Sequence, residues 1–201
     1  MRLKPRLIVL LAVSIFSGCD LDSLNPITAV ETAEHDQALF GVWHYKDDRD
    51  EMYIHIGPLG VEHGGSESTY GQRSADPHRF KLLMIDHDAR GITEETYIAH
   101  VSRVGGQRYL NIHRPQKKDK PGGFVFARYA LPDKNTLSVS LVDAKALHAA
   151  IREGKIKGKG GDDSWITAPS AEVAAFLIRN EIFSKPQEYR RTGELPDREA
   201  P

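Results

Sequence analysis

The side chains that could carry chemistry are nine histidines, several runs of carboxylates, a lysine- and glycine-rich segment and a single cysteine, Cys19, in a chain of 201 residues. The histidines show no His-Glu-x-x-His spacing, and one thiol cannot build a cysteine zinc cluster. His44 and His55 fall on neighbouring strand-like segments. The turn between them sets His44 opposite Tyr53 and His55 opposite Val42, which makes the two imidazoles diagonal neighbours rather than a ligand pair. Asp86, His87 and Asp88 are consecutive, and successive strand residues point to opposite faces. The same alternation parts Glu94 from Glu95, which are therefore not a natural acid/base pair. There is no Gly-x-Ser-x-Gly elbow, and Ser66 and Ser68 lie in a Gly/Ser-rich stretch at 63–73. These residues are read as structural or solvated, with no catalytic residue, metal or other cofactor expected. The run Gly154-Lys155-Ile156-Lys157-Gly158-Lys159-Gly160-Gly161 falls one residue short of a phosphate-binding loop and has Gly160 where a hydroxyl is needed. It is expected to be a solvated flexible loop. Near an anionic membrane it would instead be a basic hairpin, each lysine contributing about 1 kcal/mol.

The elements that must position these groups are mostly strands. Strand-like segments at 40–47 and 52–56 flank Asp48-Arg49-Asp50-Glu51, a hairpin turn. Further segments follow at 80–86, 93–104, 107–113, 124–131 and 136–142, then 164–168 and 188–191. Gly105-Gly106 marks a tight turn, because glycine takes positive φ without a steric cost. Asp143 is placed to cap a helix that buries Leu147, Ala150 and Ile151 and stops at Gly154. Ser170 is placed to cap a second helix reaching residue 181, with Val173, Phe176 and Leu177 at i, i+3, i+4 spacing. The fold class is therefore mainly β (α+β): an antiparallel barrel or sandwich with two helices in the C-terminal half. In a barrel, Phe80, Leu82, Met84, Tyr97, Phe124 and Phe126 would face inward, as core or as the lining of a cavity.

Residues 1–18 have the composition of an export signal: Arg2, Lys4 and Arg6, then an apolar run at 7–16, then Ser17 and Gly18. The run is about half of the roughly 20 residues a spanning helix needs. Phe16-Ser17-Gly18-Cys19 resembles the lipobox of bacterial lipoprotein precursors, with Phe16 where Leu is usual. The resemblance implies a diacylglycerol thioether at Cys19, cleavage before it and acylation of the new amino terminus. Asp20 resembles the signal that retains lipoproteins at the inner membrane, on its periplasmic face; the outer membrane is the other address. The expected organisation is a signal peptide at 1–18, the lipidated cysteine and a tether at 19–37, one β-rich domain at 38–192 and a disordered tail at 193–201. Loss of residues 1–18 removes three basic residues and leaves a formal charge of −4. That balance argues against nucleic acid as a partner.

Leu39-Phe40-Gly41-Val42-Trp43 resembles the Gly-x-Trp motif that opens the first strand of lipocalins and related calycin barrels. The resemblance implies that Trp43 closes the barrel floor under a basic residue from the last strand, either Arg190 or Arg191. The lipocalin Thr-Asp-Tyr signature is absent, and the helix after Asp143 stands where a lipocalin continues its hairpins. Together these features lead to the expectation of a membrane-anchored, non-catalytic module binding a small apolar or amphipathic ligand. The alternative is an envelope interaction or assembly protein that acts through its surface on a protein partner, without a ligand.

Overall fold

Apolar and polar residues alternate along most segments between Trp43 and Leu141, and this pattern winds the chain into seven consecutive antiparallel strands. An eighth, from near the C terminus, closes them into a ring. The computed structural model describes residues 21–48, 50–59, 77–116, 122–160 and 164–193. In chain order the elements are β1 (Leu21–Ser23), β2 (Gly41–Lys46), β3 (Glu51–Pro58), β4 (Arg79–Asp88), β5 (Gly91–Val104), β6 (Gln107–Arg114), β7 (Gly123–Asp133) and β8 (Thr136–Leu141). They continue with α1 (Ala144–Arg152), β9 (Gly158–Lys159), β10 (Ser164–Ile166), α2 (Ser170–Arg179) and β11 (Gln187–Gly193). Strands β2 to β8 pair in sequence, and β11 bonds to β8 on one side and β2 on the other. The result is a closed eight-stranded antiparallel barrel with two helices. The helix after β8 does not interrupt the hairpins, because β8 is the seventh barrel strand and β11 is the eighth.

Local chemistry sets the corners. Gly105 and Gly106 take φ of 57° and 75°, as a two-residue turn joining right-twisted strands requires. Strand β2 meets β3 with Val42 opposite His55 and His44 opposite Tyr53, the register that the turn length implied. Asp143 accepts a hydrogen bond from the Ala146 amide and caps α1. α1 ends as a Schellman motif: the Gly154 amide donates to the Ile151 carbonyl (3.0 Å) and the Lys155 amide to the Ala150 carbonyl (2.9 Å). α2 departs from expectation. Ser170 is already helical, and the cap position is Pro169, which offers no side-chain bond. The helix stops at Arg179 because Asn180 turns extended and its Nδ2 donates back to the Phe176 carbonyl at 2.8 Å.

Two cores result. The inner one fills the barrel with Trp43, Met52, Ile56, Phe80, Leu82, Tyr97, Tyr129, Leu137, Tyr189 and their neighbours. The outer one packs α1, α2 and β10 against the external face of β6 and β7, through Tyr109, Phe126, Val173, Phe176 and Leu177. Phe124 and Phe126 therefore belong to this outer layer and not to the barrel interior. On β7 the inward residues are Val125, Ala127 and Tyr129, which pair with the inward residues of β6. No helix among the described residues is long and apolar enough to cross a membrane.

The stretch expected as a tether is, from residue 21 onward, part of the folded unit. β1 pairs in parallel with β10 and touches β7 at Phe124. The chain then straps across the outside of β6 and β5. Ile27 is buried, its amide donates to Asn111 Oδ1 at 2.7 Å, and the Glu34 amide donates to the Val101 carbonyl at 3.0 Å. Two 3-10 turns (Val30–Thr32 and Gln37–Leu39) carry it under the barrel. Few large apolar residues lie in this stretch; backbone and polar bonds hold it instead. Cys19, Asp20 and residues 194–201 lie outside the described residues.

Candidate functional site

The start of β2 and the end of β11 meet at one end of the barrel and close it. Trp43 is fully buried, and its indole N–H donates to the Leu39 carbonyl at 2.8 Å. The Arg191 guanidinium lies over the indole, its carbon 4.1 Å from the ring centroid, a cation–π contact worth about 0.5–2 kcal/mol. Arg191 also donates to three carbonyls: Phe40 (2.6 Å), Ala38 (2.7 Å) and Lys134 (2.8 Å). Gly41 has φ of 144°, and a Cβ there would collide with Arg191 Nη1. Both the backbone angle and the cation behind it therefore demand glycine. Of the two arginines considered for this place, Arg191 occupies it. Arg190 points outward, donates to Thr136 Oγ1 at 2.6 Å and lies 3.7 Å from Glu188.

Beside this floor stands a second ionic group that the sequence did not disclose. Asp36 receives Arg108 at 2.7 Å and the Tyr129 hydroxyl at 2.8 Å. Burial first, then the Asp36 charge, pushes the Tyr129 phenol well above its ordinary value. On the outer wall Asn111 is wholly buried. It accepts from Ile27, and its Nδ2 donates to Ser102 Oγ at 2.8 Å, which in turn lies 2.6 Å from Thr28 Oγ1. An asparagine in the strand Tyr109-Leu110-Asn111-Ile112 was the available signal, since asparagine is depleted from strands unless a partner waits for it. These groups fix the strap.

The opposite end, the mouth, is ringed by tyrosines and acids. Tyr45 donates to Asp47 at 2.7 Å, and that bond, with burial, pushes its phenol up to about 12. Tyr97 donates to Glu95 at 2.5 Å, and Tyr189 to the Met52 sulfur at 3.5 Å. Asp86 sits opposite Met52 on the inward face of β4. Its carboxyl is raised by burial and by the nearby Asp88 and Asp50. An open depression of about 820 Å³ lies between the β2–β3 and β4–β5 turns, lined by Asp47, Asp48, Asp50, Glu51, His87 and Arg90 among others. Three of its carboxylates, those of Asp47, Glu51 and Asp88, are engaged by their neighbours. Glu51 is held down to about 2 by Lys46, His44 and Tyr53, and Asp88 is lowered by Arg90. His44 stacks on Tyr53 with ring centroids 4.5 Å apart. Among the described residues no group of three or more His, Cys, Asp or Glu is disposed to hold a metal ion.

The structure thus brings Gly41, Trp43 and Arg191 together and sets Arg190 apart. It gathers His87 and the carboxylates of Asp47, Asp48, Asp50, Glu51 and Asp88 around the open depression at the mouth. The chain matches no family model, no curated protein and no solved structure.

Proposed function

We propose that this protein is a lipid-anchored, non-catalytic component of the bacterial envelope that works through the outer surface of its barrel on a protein partner. The observation that carries this reading is the filled interior. Trp43, Ile56, Leu82, Tyr129, Leu137 and Tyr189 are all at most 3% exposed. A chamber inside the ring able to hold an apolar ligand would leave its lining open to water. The depression of about 820 Å³ has the size of a small-molecule pocket, but it lies between two turns at the mouth and is lined mainly by charged side chains. The anchor is supported by Phe16-Ser17-Gly18-Cys19 and by the basic and apolar residues before it. Two or more acyl chains would make attachment stable, and Asp20 favours the periplasmic face of the inner membrane. The likeness to calycin barrels rests on the closed ring and the Gly41, Trp43 and Arg191 floor. It extends to architecture and does not bring a ligand with it.

Two measurements test the reading. Cys19→Ala should leave the precursor uncleaved and without lipid label; mature-length protein still held on the membrane would remove the anchor. Native mass spectrometry of the lipidated protein, taken from its own host membrane, should show the chain alone or with a second protein. A small apolar molecule bound at one per chain would replace the surface reading with the ligand reading.

A further inference from the structure

Gly158–Lys159 (β9) forms the outer edge of the small sheet that begins at β1, and the exposed turn before it is fixed at several points. Ile156 is buried, and a Cβ on Gly158 would lie 2.6 Å from the Trp165 carbonyl oxygen and 2.9 Å from Ile151. The amides of Thr167 and Ala168 both donate to the Lys157 carbonyl, at 3.0 and 3.3 Å. These fixed points leave Lys155, Lys157 and Lys159 exposed at alternate positions. Lys155 pairs with Glu153 at 2.7 Å and Lys157 lies 3.7 Å from Glu172, but exposed pairs of this kind are worth little.

The position of this edge relative to the anchor gives it meaning. Lys159 pairs with Trp165, and Trp165 pairs with Asp22. Two strand spacings separate Lys159 from β1, about 10 Å. Cys19 precedes Asp22 by three residues, at most about 10 Å of chain. Whatever path residues 19–21 take, Lys159 lies no more than about 20 Å from the lipidated residue, and its side chain spans part of that gap.

Charge completes the case. Residues 143–163 carry five basic side chains (Lys145, Arg152, Lys155, Lys157 and Lys159) against four acidic (Asp143, Glu153, Asp162 and Asp163), and within 154–160 the three lysines are the only charged residues. Half-way round the ring, residues 46–51 and 86–90 carry six acidic against three basic. We propose that the α1–β9 edge rests against an anionic lipid bilayer beside the anchor and holds the barrel in one orientation, with the acidic turns of β2–β3 and β4–β5 directed away. This assignment rests on the lipid-anchor reading and names the surface that the anchored face meets. Each lysine within a Debye length of such a surface adds to the attraction, and salt weakens it.

The test uses the full lipidated chain in vesicles of phosphatidylcholine alone, or with one third phosphatidylglycerol. An amine-reactive reagent is applied and each lysine is read by peptide mass spectrometry. Labelling of Lys155, Lys157 and Lys159 is expected to fall at least threefold in the anionic vesicles, with Lys46 and Lys81 unchanged and the protection lost in 1 M salt. Equal labelling of the three lysines in both vesicles overturns the assignment. In K155Q/K157Q/K159Q, whose substitutions are all on exposed positions, protection of Lys145 should disappear; protection that persists there also overturns it. Intact mass of the same sample reads the anchor separately. Should no lipid be found on Cys19, the anchor reading fails by itself. Unlipidated chain that still sediments with anionic vesicles, and does so only with its three lysines, keeps the surface assignment; chain that does not sediment ends both.

Discussion

At the floor of the barrel each strong polar group has a fixed partner: Arg191 meets three carbonyls and an indole, and Asp36 meets Arg108 and Tyr129. At the mouth, Asp86 is half-buried near Asp88 and Asp50, and its carboxyl is raised in consequence. The two ends are made from the same eight strands, so strand pairing does not account for the difference. It comes from what is laid across each end. Residues 36–40 of the strap bring carbonyls and a carboxylate to the floor, whereas the acidic side of the mouth has only the β2–β3 and β4–β5 turns. The floor is therefore where stability is concentrated, and the mouth is where charge is left in tension.

Substitutions can break or sharpen that contrast. Trp43→Ala should have the largest effect, about 3–5 kcal/mol lost from unfolding in urea, because it opens a cavity where nothing can collapse. A loss below about 1 kcal/mol would show that the floor is not a packed seal. Arg191→Met should remove about 2–4 kcal/mol by orphaning carbonyls that are bonded to a charged donor. Arg190→Met, on the exposed side of the same strand, should cost less than about 1 kcal/mol; equal losses would end the distinction between the two arginines. Asn111→Ala should lower stability by about 1–3 kcal/mol and speed hydrogen exchange at the Ile27 amide. Unchanged exchange there would mean that the strap is held by something else.

The smallest change should be a gain, and it belongs to the mouth. A folded-state Asp pKa above its ordinary value means that ionisation is unfavourable in the fold. The penalty grows as pH rises through the raised value and is absent well below the ordinary one. Asp86→Asn should therefore stabilise the protein at pH 7, by the smallest margin of the series, and the advantage should fade as pH falls below the ordinary carboxylate range. Paired melts of the two proteins at pH 7 and below that range measure it. A variant less stable than the parent at pH 7 would show that Asp86 makes a favourable bond at the mouth.

Much of this architecture was legible in the sequence, for local reasons. Gly105-Gly106 admits one kind of turn, Asp143 and Gly154 bracket a short helix, and the four residues between strands fixed His44 opposite Tyr53. Gly41 and Trp43 were recognisable as a pair, but the choice of Arg191 over Arg190 was not. It depends on which face of β11 turns inward, and a bulge shifts the register between Arg191 and Gly193. Phe124 and Phe126 face the helices rather than the barrel interior, and alternation carries no sign on β7 because both of its faces are covered, one by the barrel core and one by the helices. The strap was missed for a different reason. Ile27, Glu34 and Asp36 are held by groups that lie 84, 69 and 72 residues away, and no periodicity within residues 21–37 records such bonds.

The grip of Arg191 on Ala38 and Phe40 joins positions 153 and 151 residues apart. It therefore governs timing as well as strength. Hairpins such as β2–β3 can form in microseconds once their own residues are present. Closure of the ring must wait for the last strand, because contacts of such sequence separation are the slowest to assemble. A chain that emerges amino terminus first stays an open sheet, with β2 and β8 as unpaired edges, until residue 191 of 201 has arrived. Any shortening that removes β11 should yield an aggregating fragment rather than a smaller barrel.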